Sequence, residues 1–272
     1  MATTTNATAS LPLRLKRLGF NLLPSSLRLP VRVAWMQAAR TLEPEARSLA
    51  TLMSPGGTAL DIGANHGVYS YFMVRHFDHV VAFEPQPECV ETLRSWAGGR
   101  VDVRQVALSD HRGEGKLAVP IKSGVPLTGY ARLDATVDGL SSSLVVPVER
   151  LDDQDLRDVR FMKIDVEGHE LSVLRGGENL LDENRPTLLV EIEQRHLDGD
   201  LTIADVVHYL TNRGYNCFFR IGDVWTEFRE FRLESHQNTN HVGERGYVNM
   251  FLFRPNDGTP SSHQIAATTR ED

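Results

Sequence analysis

The stretch DIGANHGVYS, residues 61–70, follows the apolar run TAL and leads into YFMVRHF. It has the outline of a loop between a first strand and a first helix of a nucleotide-binding α/β unit: an apolar strand, a glycine turn, then apolar residues at helical spacing. The dinucleotide pattern G-x-G-x-x-G is missing, since the loop carries only Gly63 and Gly67 and opens on an acid, Asp61. An acid at the carboxyl edge of a first strand repels a pyrophosphate and attracts a ligand bearing an ammonium. S-adenosylmethionine has an ammonium, beside a carboxylate suited to the backbone N–H groups that open the next helix. On this reading Asp61, Gly63, Ala64, Asn65, His66 and Gly67 form a cofactor loop. The two glycines permit the tight turn and the close approach of ligand to backbone.

Working outward, HVVAFEP (79–85) reads as the second strand and ends on Glu84 and Pro85, with Glu84 placed 23 residues after Asp61. That is close to the roughly 20-residue offset at which an acid grips a ribose diol. Residues 101–109 read as the third strand, and its Gln105, Val106 and Ala107 are expected beside an adenine. With helices over 67–77 and 88–97 the order is βαβαβ, half of a doubly wound sheet. A strand over 160–168, a helix over 169–181, a strand over 186–193 and a helix over 202–215 continue the alternation. Strands at 216–222 and 248–255 close it. Residues 111–150 are less regular and read as an insertion covering the site, or as an edge hairpin with no binding role.

DIGANHGVYS, VVAFEPQP, VALSD, VERLDD and FMKIDVEGHELSVLRGG, followed by PTLLVEIE, resemble the FkbM family of S-adenosylmethionine-dependent methyltransferases. The resemblance spans about residues 57–193, and KIDVEGHE is its most distinctive motif. It implies a class I methyltransferase fold, a Rossmann-like doubly wound sheet of seven strands with the last antiparallel. It also implies O-methylation of a hydroxyl on a sugar, glycolipid or natural-product acceptor.

KIDVEGHE places Lys163, Asp165, Glu167, His169 and Glu170 within eight residues at the end of the fourth strand. Methyl transfer from a sulfonium is an in-line displacement, so the enzyme aligns the hydroxyl and a base removes its proton. Asp165 or His169 could be that base. Alternatively, Asp165 with Glu191 or Glu193 from the fifth strand holds Mg²⁺, the ion lowering the hydroxyl pKa. Lys163 is expected to be the buried partner of a neighbouring carboxylate, because an unpaired lysine in a central strand is costly. His196, Tyr130, Arg132 and Ser141 to Ser143 are polar candidates for the acceptor pocket. Two rivals use the same sheet: a nicotinamide-dependent oxidoreductase, and a non-catalytic scaffold that binds a partner.

The chain has 272 residues, 41% hydrophobic and 24% charged, with two distant cysteines, Cys89 and Cys217, that match no metal spacing or disulfide framework. A reducing cytoplasmic setting follows. Residues 1–40 carry six basic residues and no acid, while the whole chain is −7. Residues 11–53 therefore read as a basic helical arm, of which residues 11–40 either pack on the acidic body or lie on an anionic membrane. The acidic body disfavours nucleic acid. Residues 54–255 form the methyltransferase domain, and 1–10 and 256–272 read as disordered tails.

Overall fold

The computed structural model describes residues 22–134, 139–238 and 246–256. The predicted tails, Asn256 apart, and the first part of the arm lie outside the described residues. In chain order the helices are α1 (Ser25–Ala38), α2 (Pro44–Arg47), α3 (Leu49–Leu52), α4 (Val68–Met73), α5 (Pro87–Ala97), α6 (Glu170–Gly176), α7 (Glu178–Asn184), α8 (Ile203–Thr211) and α9 (Leu233–His236). The strands of the main sheet are β1 (Thr58–Ile62), β2 (His79–Phe83), β3 (Asp102–Arg104), β9 (Val159–Ile164), β10 (Thr187–Glu191), β11 (Tyr215–Ile221), β12 (Val224–Glu227) and β13 (Met250–Pro255). Between them lie β4 (Ala107–Ser109), β5 (Gly113–Lys122), β6 (Val125–Pro126), β7 (Arg132–Leu133) and β8 (Ser141–Arg150).

The main sheet runs β12-β11-β13-β10-β9-β1-β2-β3. β1 pairs in parallel with β2 on one side and β9 on the other, so the strand order reverses at β1 and opens a crevice at the carboxyl edge. β13 is antiparallel to β10 and β11. The sheet has eight strands rather than the expected seven, because β12 folds back antiparallel on β11 at the edge.

All of β1 is buried, as expected for a strand covered on both faces. Leu60 and Ile62 join one core with Ile164, Leu174 and Val206. Ala59 joins the other with Phe161, Leu189, Leu93 of α5, and Leu29 and Val33 of α1. The described part of the arm is thus packed on the body, while Leu27, Val31 and Trp35 point outward. No helix among the described residues is long and apolar enough to cross a membrane.

The expected third strand over 101–109 is in fact broken. Val101 and Val103 are buried in one core, but Val106 and Leu108 are buried in the other, so the period-two pattern slips by one residue at Gln105. β3 stays in the main sheet and β4 enters a second sheet. The expected irregular insertion is regular: β5 runs antiparallel to β8 from Gly113–Val148 to Pro120–Ser141, and β4 pairs in parallel with β8. This sheet has its own small core of Leu117, Val119, Leu133, Val146 and Val148. The expected helix over 169–181 is divided at Gly177, and the end of the arm forms two short helices, α2 and α3, that meet at Ser48.

Candidate active site

A cleft enclosing about 600 Å³, its open mouth included, lies between the carboxyl edge of the main sheet and the second sheet. The main sheet contributes Gly63, Asn65, Phe83, Glu84, Asp165 and Glu167; the second contributes Leu117, Leu133 and the turn holding Thr128 and Gly129. The insertion therefore forms one wall.

The loop after β1 turns sharply because Gly63 and Asn65 both adopt positive φ, 72° and 49°. A Cβ on Gly63 would lie 1.8 Å from the Asp165 carbonyl oxygen, so the loop rests on the turn after β9 and only glycine fits. Glu84 is 3% exposed. One carboxyl oxygen accepts the Asn65 N–H at 2.7 Å and the other accepts the Gln86 N–H at 2.8 Å. Burial pushes its pKa up to about 7.

Asp61 is fully buried and does not line the cleft. Its Oδ2 accepts both the Ser70 N–H, at 2.9 Å, and the Ser70 hydroxyl, at 2.6 Å, capping α4, while its Oδ1 has no partner. Across the β1–β9 ladder Asp61 sits opposite Lys163. The Lys163 ammonium donates to Asp165 at 2.8 Å and to the Gly63 carbonyl at 3.3 Å, and lies 5.1 Å from the centre of the Tyr69 ring. Burial works to lower the Lys163 pKa, but Asp165 and Asp61 hold it above its ordinary range. Lys163 is thus the buried partner of a carboxylate.

Glu43, at the start of α2, accepts the Tyr69 hydroxyl at 2.5 Å. Its pKa is raised by burial, with Lys163 and Asp165 close enough to act on it. Glu191 accepts from Asn249 at 2.7 Å and is pushed well above the carboxylate range by burial and by Asp165, Glu43 and Glu167. One lysine therefore lies among Asp61, Asp165, Glu191 and Glu43, and burial raises the pKa of Asp61, Glu191 and Glu43.

After β9 the chain turns through Glu167, whose φ of 54° is unusual for a residue with a Cβ. A Cβ on Gly168 would lie 2.1 Å from the His196 carbonyl oxygen, so this turn packs directly on the 194–198 segment. The Glu167 carboxylate meets His196 Nδ1 at 2.6 Å. Arg132 fastens both, donating to the carbonyls of Glu167 (3.1 Å) and His196 and to Asp198 (2.9 Å). Burial raises the Glu167 pKa, against the opposing effect of the His196 bond.

His169 lines the cleft, but its Nε2 is 2.9 Å from the Ser109 hydroxyl, which also reaches Asp110 and His111. Burial lowers its pKa. Glu170 is buried behind it; one oxygen accepts the Gly168 N–H at 2.9 Å and the other has no partner. Burial pushes its pKa up to about 7.

Among the expected cofactor residues, Gly63, Asn65, Glu84, Pro85, Val106 and Ala107 line the cleft. Ala64, His66 and Gly67 shape the turn into α4 without lining it, and Gln105 points to solvent. Tyr130 is about half exposed; its pKa is raised by partial burial and by Glu167. Ser141 to Ser143 lie exposed on β8, away from the cleft lining.

The expected Mg²⁺ set does not assemble. Glu193 is held by Arg195 and Tyr247, each at 2.5 Å; burial favours its neutral form, but these bonds keep its pKa below the ordinary range. Asp165 is taken by Lys163, and among the described residues no three His, Cys, Asp or Glu side chains are placed to hold a metal ion. Glu43 and Tyr69 were not foreseen. The one signal for Glu43 is that it is the first acid of the chain, directly before Pro44.

A mixed sheet with a switch point at β1, a glycine turn and an acid closing β2 give the chain a methyltransferase-like α/β fold. The family model for the methyltransferase FkbM domain matches residues 61–217, more than half of the chain, and the chain belongs to that family. The 31-O-demethyl-FK506 methyltransferase FkbM of Streptomyces tacrolimicus is 28% identical over 200 residues, covering 60% of this chain and 74% of that protein. The crystal structure of methyltransferase FkbM from Methylobacillus flagellatus KT shares the fold, with a TM-score of 0.51 and 17% identity over 84% of this chain. This chain spans only about half, 54%, of that one.

Proposed function

We propose that the protein is an S-adenosylmethionine-dependent O-methyltransferase acting on a hydroxyl of a sugar, glycolipid or natural-product acceptor. The observation that carries this reading is Glu84. Each of its oxygens accepts one backbone N–H, which leaves lone pairs for a ribose diol, and the walls beside it, Phe83, Val106, Leu108 and Leu117, suit an adenine ring. The acids that line the cleft, Glu84, Asp165 and Glu167, favour a cationic cofactor over a pyrophosphate. When bound, the cofactor supplies a methyl group activated by a sulfonium. The chain then orients the acceptor hydroxyl for in-line attack, excludes water with the second sheet, and takes up the hydroxyl proton. The O-methylation named for the Streptomyces relative, of an FK506 scaffold, supports the same chemistry here.

The test is incubation with methyl-labelled S-adenosylmethionine and, in parallel, 31-O-demethyl-FK506 and fractionated sugars, glycolipids and secondary metabolites. Label fixed as a methyl ether is the expected result. Absence of cofactor binding by calorimetry, together with no transfer to any fraction, would overturn the reading.

A further inference from the structure

The groups near the cleft that could accept a proton differ in what already occupies them. Asp165 is committed to the Lys163 ammonium at 2.8 Å, so one of its oxygens is already occupied. His169 presents Nε2 to Ser109, inside a chain of bonds reaching Asp110 and His111. His196 is held differently. Its Nδ1 is anchored by Glu167 at 2.6 Å, and its Nε2 makes no hydrogen bond among the described residues.

Three further features fix that ring. Arg132 ties the backbone of Glu167 to the backbone of His196 and to Asp198. Gly168 brings the two segments into direct backbone contact. Glu167 holds a left-handed conformation, a local cost of order 1 kcal/mol that folds retain where a side chain must be aimed. Glu167 lines the cleft, and His196 lies directly behind it, outside the lining and 13% exposed. An acid holding one imidazole nitrogen so that the other is a free acceptor is the general logic of an oriented histidine base.

We propose that His196, oriented by Glu167 and clamped by Arg132, is the catalytic base, in place of Asp165 or His169. In the step, the acceptor oxygen forms its bond to the methyl carbon as the carbon–sulfur bond breaks. The electron pair passes to sulfur and the hydroxyl proton passes to His196 Nε2. Glu167 and Arg132 are positioning residues that leave Nε2 unprotonated and facing the acceptor. The proposal rests on the methyltransferase reading, and the tests below fail separately from it.

Nitrogen-15 spectra of the histidines of the full chain, with His196→Asn for assignment, should show His196 protonated on Nδ1. A ring protonated on Nε2 overturns the proposal without any activity measurement. With the acceptor fraction that takes label, His196→Asn, which can still bond Glu167, should lower turnover roughly 10²–10⁴-fold. S-adenosylmethionine affinity by calorimetry should stay within about twofold, because the base contributes to the chemical step and little to binding. His196→Ala should regain turnover when imidazole is added to the medium. Normal turnover in His196→Asn, or His196→Ala indifferent to imidazole, overturns the proposal. A wild-type protein that neither binds the cofactor nor transfers label overturns the methyltransferase reading itself.

Discussion

Lys163 and Asp165, two residues apart at the carboxyl end of β9, form an ion pair at 2.8 Å in which the lysine is 3% exposed. The same ammonium sits opposite Asp61 across the ladder, and Asp165, Asp61 and Glu191 all act on it. Removing one member of a buried pair leaves its partners charged and uncompensated. Lys163→Gln should therefore destabilise the protein by about 3–5 kcal/mol in urea unfolding at pH 7. A loss of under about 1 kcal/mol would mean that solvent, not Lys163, neutralises these acids.

Glu170 gives a pH dependence with a definite sign. Its folded pKa, about 7, lies above the ordinary 4.5, so the proton it keeps stabilises the fold at low pH, and that contribution is lost as pH rises through about 7. The shift corresponds to a contribution on the order of 3 kcal/mol. Glu170→Gln keeps an acceptor for the Gly168 N–H and cannot ionise. Between pH 5 and pH 8 the wild-type protein should lose more stability than the variant, by about 2–3 kcal/mol. Parallel pH profiles would show that Glu170 ionises without cost.

With Glu193 bound by Arg195 and Tyr247, and Asp165 by Lys163, the carboxylates needed for a magnesium site are engaged. Methyl transfer should persist within about twofold in excess chelator, since among the described residues no set of three His, Cys, Asp or Glu side chains is placed to hold the ion. Activity abolished by chelator and restored by Mg²⁺ would contradict this assignment of the acids.

The main sheet was legible in the sequence because its signals are local. Apolar runs of strand length, Gly63 and Gly67 at the turn, and acids at the ends of β1 and β2 each speak within a window of ten residues. The order of β1, β2, β9 and β10 follows from the alternation with helices. What was not legible is non-local. The slip of phase at Gln105 was visible as Val103 followed by Val106, but its meaning depends on β8, some 40 residues on in the chain. The pairing of Glu167 with His196, and of Glu43 with Tyr69, joins segments that only the crossover order of the strands brings together. Asp61 shows a different limit: its place at the end of β1 was readable, but its turn toward Ser70 depends on how α4 starts.

The central claim is that Glu84 receives the ribose of S-adenosylmethionine in the cleft beside β2. Calorimetric titration of S-adenosylmethionine into the wild-type protein and Glu84→Ala tests it most directly. The account predicts binding by the wild-type protein and a loss of roughly 1.5–3 kcal/mol in the variant, the range for hydrogen bonds to a charged group, while the melting temperature without cofactor shows the variant to be folded. Equal affinities for the folded variant and the wild-type protein would contradict it.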